Sequence, residues 1–261
     1  MNKTEKELAF LRELAIENDW TQRFTDFFDK RFKFDKEETV LYVNAGAGNH
    51  AIALSEKISD KTNIYAVCEN TELRNIAQAK ADAVKADVRF GINFPDEKSD
   101  VVIADGGFIK PNKIDNFLTQ IIEASGSQVV FFLPTKSSFG EIFSFLWETL
   151  LETDLLAHSE NVERLILEIP TAEAVEILLK NLGLTKVESQ TETELFEFKD
   201  GTEFIESPIV ADFLLPVWLD FLTYDEKEKA GKKLAELIDA DEGTLSFRFS
   251  VKNTLFRGEK I

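Results

Sequence analysis

Thr39-Val40-Leu41-Tyr42-Val43-Asn44-Ala45-Gly46-Ala47-Gly48-Asn49-His50-Ala51-Ile52 is the stretch from which the rest of the chain is read. It runs from a β-branched, apolar segment through two glycines one residue apart into the start of a helix. A buried strand that ends in such a turn brings bare backbone close to a ligand. Gly46 and Gly48 place no Cβ in the way, and a helix that follows turns its first N–H groups toward the same point. An ordinary strand-to-helix turn is the plainer alternative, so the flanking pattern has to decide.

That pattern alternates. Thr39–Val43 reads as the first strand, Asn49–Ile58 as a helix and Asn63–Cys68 as the second strand. Leu73, Ile76, Ala77, Lys80 and Val84 mark the next helix, and Asp87–Phe90 and Asp100–Ala104 are short apolar strands. Ile114, Phe117, Leu118, Ile121 and Ile122 give an amphipathic helix before a fifth strand, Gln128–Leu133, and a helix through Phe145 and Trp147 follows. Strands apolar throughout and separated by helices predict a parallel sheet covered on both faces.

The last third changes. A helix over Thr171–Leu182 stops at Gly183, and Thr185–Phe198 reads as a strand. Helical segments over about Thr202–Leu222 and Tyr224–Asp239 come next, and Leu245, Phe247, Phe249 and Val251 alternate toward Phe256. With no helix after it, the terminal strand is expected to slip in antiparallel at one edge. Ahead of the first strand, residues from about Thr4 to Phe34 read as helix, with Leu8, Leu11, Leu14, Trp20, Phe24, Phe27 and Phe28 at helical spacings. Those aromatics are expected in the core, on a helix also able to cover a ligand site.

The totals narrow the functions. A chain of 261 residues with 44% hydrophobic residues and 23 Phe buries a substantial core. A net charge of −18 disfavours nucleic-acid and anionic-membrane partners. One cysteine, Cys68, and two distant histidines, His50 and His158, offer no metal spacing. The N-terminus has no apolar signal core, so a cytoplasmic protein is expected. His158, beside Ser159 and Glu160, reads as part of a polar loop. No heptad pattern speaks for self-association.

In this order the motifs resemble those of class I S-adenosylmethionine-dependent methyltransferases, over about Glu38 to Lys260. Val40 to Gly48 is similar to the family's first strand and glycine turn. Ile64-Tyr65-Ala66-Val67 resembles the run into the ribose-binding acid, Asn70-Thr71-Glu72-Leu73 the next helix start, and Ser99 to Ala104 the fourth strand. Leu182 to Val187 resembles the approach to strand six, and Leu255 to Lys260 the closing strand. The resemblance implies an α/β, doubly wound Rossmann-like fold. Its seven-stranded mixed sheet has an antiparallel last strand inserted beside the fifth. Residues 1–36 would be an N-terminal helical extension, 37–261 the Rossmann-like domain, and about 200–240 a helical cap inserted before the final strand.

The resemblance also implies S-adenosylmethionine as cofactor, held by Tyr42, Asn44, Ala45, Gly46, Gly48, Glu69, Asn93 and Asp105, and methyl transfer to a small-molecule or protein acceptor. There are departures. Tyr42 stands where the family has an acid, Asn44 where it has its first glycine, and Cys68 at the ribose acid, so that Glu69 reaches a ligand only if the strand end bulges or slips. Gly91-Ile92-Asn93-Phe94-Pro95 lacks the third-strand acid, leaving Asn93 to meet the adenine amino group. Asp105 keeps its place at the carboxyl edge of the sheet, followed by a Gly106-Gly107-Phe108 turn suited to lining a substrate cavity. No side chain stands out as a general base; His50, at a helix start, is one candidate. The substitutions also suit a non-catalytic binding or assembly protein on the same fold. A third reading, a nicotinamide-dependent oxidoreductase, comes from Gly46-Ala47-Gly48-Asn49-His50-Ala51, which fits G-x-G-x-x-A with Glu69 about twenty residues on. Strand order separates that reading from the other two.

Overall fold

The computed structural model describes residues 3–34, 39–58, 61–241 and 246–260. Leu245 and the expected boundary at 36–37 lie outside them. Seven strands form one sheet in the order β3-β2-β1-β4-β5-β7-β6. β1 (Thr39–Val43), β2 (Asn63–Val67), β3 (Val88–Gly91), β4 (Ser99–Asp105) and β5 (Ser125–Thr135) run parallel. β7 (Phe247–Lys260) lies between β5 and β6 (Leu184–Phe198), antiparallel to both. The alternation expected at the chain's end therefore becomes the inserted antiparallel strand, as the resemblance implied.

Continuous apolar runs in β1, β4 and β5 reflect burial on both faces. Val40 and Tyr42 point into one core, and Leu41 and Val43 into the other. The Leu41 side is covered by α5 (Ile114–Ala124) and α8 (Ala172–Asn181), whose Ile114, Phe117, Leu118, Ile121, Val175 and Leu179 pack there. The Tyr42 side takes the N-terminal helices, α3 (Asn49–Ser55), α4 (Thr71–Val84), α6 (Gly140–Glu152) and the helices between β6 and β7.

The N-terminal extension forms α1 (Glu5–Leu11), a π-helical stretch over Arg12–Thr21 and α2 (Gln22–Arg31). Thr4 and Glu7 make a capping box at its start. Ile16, Trp20, Phe24, Phe27 and Phe28 are buried, as expected of the aromatic stripe, whereas Leu14 faces solvent. Trp20 packs on Phe24, Phe108, Phe139 and Phe196, which fixes the segment across the carboxyl ends of the parallel strands.

Several boundaries differ from the sequence reading. The region around His158 is helical: a 3-10 turn over Leu156–His158 leads into α7 (Ser159–Glu168), whose polar outer face hid the helix. The segment read as one helix over Thr202–Leu222 is broken into α9 (Gly201–Glu206), a π turn over Ile209–Leu214 and α10 (Leu215–Trp218). Pro208 and Pro216 lack the N–H a continuous helix requires there. α11 (Tyr224–Ala240) is a single helix with a Thr223–Glu226 capping box. α3 ends at Ser55, short of the expected Ile58.

A candidate cofactor crevice closed by the N-terminal segment

The turn after β1 uses three left-handed residues: Asn44 at φ 57°, Gly46 at φ 56° and Gly48 at φ 85°. Asparagine tolerates that region better than other side chains, so Asn44 substitutes for a glycine without breaking the turn. Its Nδ2 donates to the Asp105 carbonyl at 2.9 Å, tying β1's end to β4's. Gly48 has a packing reason as well, since a Cβ there would meet Ala77 Cβ and Phe90 Cζ at 2.8 Å. Ala45 N–H donates to Val67 O and Gly48 N–H to Ala45 O, both at 2.9 Å. These two N–H groups hold the turn.

Two other N–H groups are held by side chains. Gly46 N–H donates to Glu69 Oε2 at 3.0 Å, and Ala47 N–H to Glu17 Oε1 at 3.4 Å. They belong to the turn itself, ahead of α3. Glu69 arrives there without a slipped register. β1 and β2 pair unbroken from Thr39–Asn63 to Val43–Val67, and Cys68 N–H donates to Gly91 O at 2.9 Å. Glu69 lies beyond the paired strand, where side-chain alternation no longer dictates direction. Cys68 is buried, its thiol pushed up to about 12 first by burial and then by Glu69.

Arg12 and Glu17, both buried, were not singled out from the sequence. Arg12 Nε donates to Glu17 Oε1 at 3.2 Å, and its Nη2 lies 3.5 Å from Asp105 Oδ2 and 3.9 Å from Glu69 Oε1. The guanidinium carbon sits 4.2 Å from the Phe108 ring centroid. Glu17 Oε1 occupies the space a Cβ on Gly46 would need. A signal was present: Glu17 recurs with Thr21, Phe24 and Phe28 on the apolar stripe of the helix, an uncommon place for a charge.

One guanidinium thus faces three carboxylates. Burial raises Glu17 against the pull of Arg12, and Glu69 adds to the rise. Asp105 is pushed up to about 7 by burial, against the opposing pull of Arg12 and the Gly107 N–H. Arg12 itself is raised: burial would lower it, and the three acids together outweigh that. One cation cannot neutralise three carboxylates, Glu17 and Asp105 buried and Glu69 at their exposed edge, so the site carries a surplus of negative charge that protons partly relieve.

Tyr42, expected at the ligand, points instead into a buried chain behind the turn. Its hydroxyl donates to His50 Nδ1 at 2.9 Å, and His50 Nε2–H donates to Asp29 Oδ1 at 3.2 Å. Burial raises the phenol, and the nearby carboxylates add to this. Burial lowers His50, against the pull of Asp29. Asp29 stands at about 2, burial being outweighed by its bonds to His50 and Lys57. His50 is therefore a neutral link between α2 and β1. Since its folded value lies below the unfolded one, its contribution is complete above about pH 6.5 and is lost as pH falls through the folded value. In chemical denaturation at stepwise pH, His50 should subtract stability below about 6.5, against the gain that the raised Asp105 gives there, and His50→Phe should remove that acid limb. An unchanged limb in His50→Phe would assign the acid sensitivity elsewhere.

Asn93 stays at the rim: it is exposed, and its carbonyl accepts from Tyr65 Oη at 3.3 Å. Asn44, Ala45, Gly46, Gly48, Glu69 and Asp105 are gathered at the ends of β1, β2 and β4; Tyr42 and Asn93 flank that group.

No protein-family model matches the chain, and no curated protein does. Solved structures do. The YcgJ protein from Bacillus subtilis is 14% identical with a TM-score of 0.58, over 92% of this chain and 98% of that one. A SAM-dependent methyltransferase from Thiobacillus denitrificans, solved with S-adenosyl-L-homocysteine, is 14% identical with a TM-score of 0.56, over all of both chains. With β7 inserted antiparallel between β5 and β6, the sheet order matches as well. The chain has the class I methyltransferase fold. Beyond β5 the sheet lacks the parallel second half of a nicotinamide oxidoreductase, so that reading falls on strand order. The same fold is shared by the [4+2]-cyclase SpnF, 16% identical with a TM-score of 0.50 over 92% of this chain and 82% of that one. A methyltransferase fold therefore does not by itself fix the reaction.

Proposed function

We propose that the chain binds S-adenosylmethionine over the Gly46–Gly48 turn and transfers its methyl group to an acceptor on the Gly106–Pro111 side. The observation that carries this reading is the surplus of carboxylate around that turn. Glu17, Glu69 and Asp105 share one Arg12, an arrangement that suits a ligand bringing positive charge. The residues fit such a ligand in kind. Glu69 and the Gly46 N–H offer an acceptor and a donor for ribose hydroxyls, and Arg12 a partner for a carboxylate. Asp105 and Glu17 offer partners for an ammonium, and exposed Asn93 an amide for the adenine edge. When bound, the cofactor supplies an electrophilic methyl on a sulfonium.

The chain's own contribution is positioning and exclusion of water. Glu17 now lies against Gly46, so its side chain has to shift for a ligand to reach the turn. The Arg12–Trp20 segment itself, anchored by Trp20 and Phe24, forms the roof of the site.

That contact also favours a second reading, in which the fold serves as a non-catalytic binding or assembly protein and Glu17 permanently fills the turn. Calorimetric titration separates the two. S-adenosylmethionine and S-adenosylhomocysteine are expected to bind, with NADH and NADPH as negative controls. Glu69→Ala is expected to weaken binding about tenfold or more, and Gly46→Val to abolish it. A folded wild-type protein that binds neither sulfur nucleotide, and a Glu17→Ala variant that also binds neither, leave the non-catalytic reading in place.

A further inference from the structure

On the far side of Asp105 from the glycine turn lies an apolar cavity. It is bounded by the Gly106–Pro111 loop, the start of α6, the end of α7 and the helices inserted before β7. Phe108, Phe139, Phe143, Phe213, Val217 and Trp218 form most of its wall. Phe139 and Phe143 pack edge-on against Trp218 at 5.2 and 5.6 Å, and Phe108 lies tilted against Phe213 at 5.7 Å. About 70 Å³ is enclosed, within a cleft of about 640 Å³ that is partly open to solvent. The one charged side chain in its wall, Lys110, is half-exposed and paired with Asp220 at 3.3 Å.

Gly107 lines the cavity, and Asp105 and Trp20 pack closely behind it. A Cβ there would stand 2.9 Å from Asp105 Oδ1 and 3.1 Å from Trp20 Nε1. Trp20 is buried, and its indole N–H has no hydrogen-bond partner. An orphaned buried donor carries a cost of about 1–3 kcal/mol unless something accepts from it. A free donor and a carboxylate oxygen thus sit together behind a residue with no side chain, between the apolar cavity and the turn.

Resting on the reading above, we infer that the methyl acceptor is a neutral, apolar molecule of aromatic size bearing a single hydroxyl. Its oxygen accepts from Trp20 Nε1–H and its proton is directed to Asp105. A hydroxyl matches this pair because it donates and accepts at one atom. A carboxylic acid meets the surplus negative charge, and an aliphatic ammonium has no lone pair for the indole. In the transfer, the acceptor oxygen forms its bond to the methyl carbon as the carbon–sulfur bond breaks. That bond's electron pair stays on sulfur, neutralising the sulfonium, and the hydroxyl proton passes to the Asp105 carboxylate.

The test uses the full chain and two probes of one shape, 2-naphthol and 2-methoxynaphthalene, followed by quenching of tryptophan fluorescence. S-adenosylhomocysteine is titrated in parallel. 2-Naphthol is expected to bind about tenfold or more tightly than its methyl ether. Val217→Phe, which fills the cavity, should abolish binding of both probes while retaining S-adenosylhomocysteine. Trp20→Phe should bring the two probes to within about threefold of each other. Equal affinity of the two probes for the wild type overturns the inference without needing any variant, as does 2-naphthol binding that survives Val217→Phe. S-adenosylhomocysteine binding without 2-naphthol binding overturns the inference and leaves the cofactor reading standing. No S-adenosylhomocysteine binding overturns that reading, and with it the role of Asp105 in methyl transfer.

Discussion

Arg12→Leu is expected to lower the midpoint of thermal unfolding by on the order of 10 °C, the largest stability effect of any single substitution around the crevice. Arg12 is buried and is the guanidinium shared by Glu17, Glu69 and Asp105. Removing one partner of a buried ionic cluster leaves the others uncompensated, which costs about 3–5 kcal/mol. Leucine fills much of the same volume, so the loss reports charge more than packing, although the contact with Phe108 goes too. The reverse substitution should behave differently. Glu17 is already raised by burial, so Glu17→Gln removes a strained charge and should change stability by less than about 1 kcal/mol. The double variant Arg12→Leu/Glu17→Leu should recover more than half of the Arg12→Leu loss. Calorimetry on the three variants checks this; an Arg12→Leu protein within about 2 °C of wild type would mean that the carboxylates are not held in ionised form by Arg12.

The second large effect concerns charge on the ligand. S-adenosylmethionine is expected to bind about tenfold more tightly than S-adenosylhomocysteine at pH 7, and to release a larger fraction of a proton on binding. The two ligands differ by one methyl and one positive charge. A sulfonium beside Asp105 and Glu17 favours their ionised forms, so a group standing at about 7 in the free protein drops and sheds its proton. The sign fixes the window. Well below the lowered value Asp105 is protonated before and after binding, and well above 7 it is ionised before and after. Release is therefore greatest near neutral pH and fades on both sides. Titrations in buffers of different ionisation enthalpy give the proton count directly, and Asp105→Asn should reduce it. Equal affinity and equal proton release for the two ligands would remove the charge surplus as the basis of recognition.

The free protein carries the same linkage. Asp105, raised from its unfolded value near 3.8 to about 7, favours the folded state most at low pH, and that advantage is lost as pH rises through 7. His50 acts in the opposite direction on the acid side. The two therefore set opposed limbs in the pH dependence of the ligand-free chain, and a cationic ligand, by lowering Asp105, should weaken the Asp105 limb.

Much of the crevice was legible because it is made of backbone. Gly46, Gly48 and Asn44 announce left-handed turn positions in any sequence, since few residues adopt them, and Asp105 lies at the end of an apolar run that could only be a buried strand. Glu69 was expected to reach the turn only on condition of a slipped strand; the structure brings it to the Gly46 N–H by a plainer route, beyond the last paired residue. Arg12 and Glu17 were hidden because the helix reading looks for apolar periodicity, and two charges within such a stripe register as exceptions to it. Tyr42 shows the limit of aligning by motif. Standing where the family has an acid, it is bonded to His50, and the choice between facing a ligand and facing a helix was made by the side chains packed behind β1.

By itself the sequence determined the order of strands and helices, the doubly wound class and the turn that ends the first strand. Each of these follows from local periodicity and from residues with restricted backbone freedom. Which groups meet over that turn was decided by tertiary structure alone. The N-terminal segment folds across the carboxyl ends of the strands, seats Trp20 among four aromatic rings and brings Arg12 and Glu17 onto residues 30 or more positions away. The physical reason is that charge pairing and burial depend on distances across the fold, and no spacing along the chain encodes them.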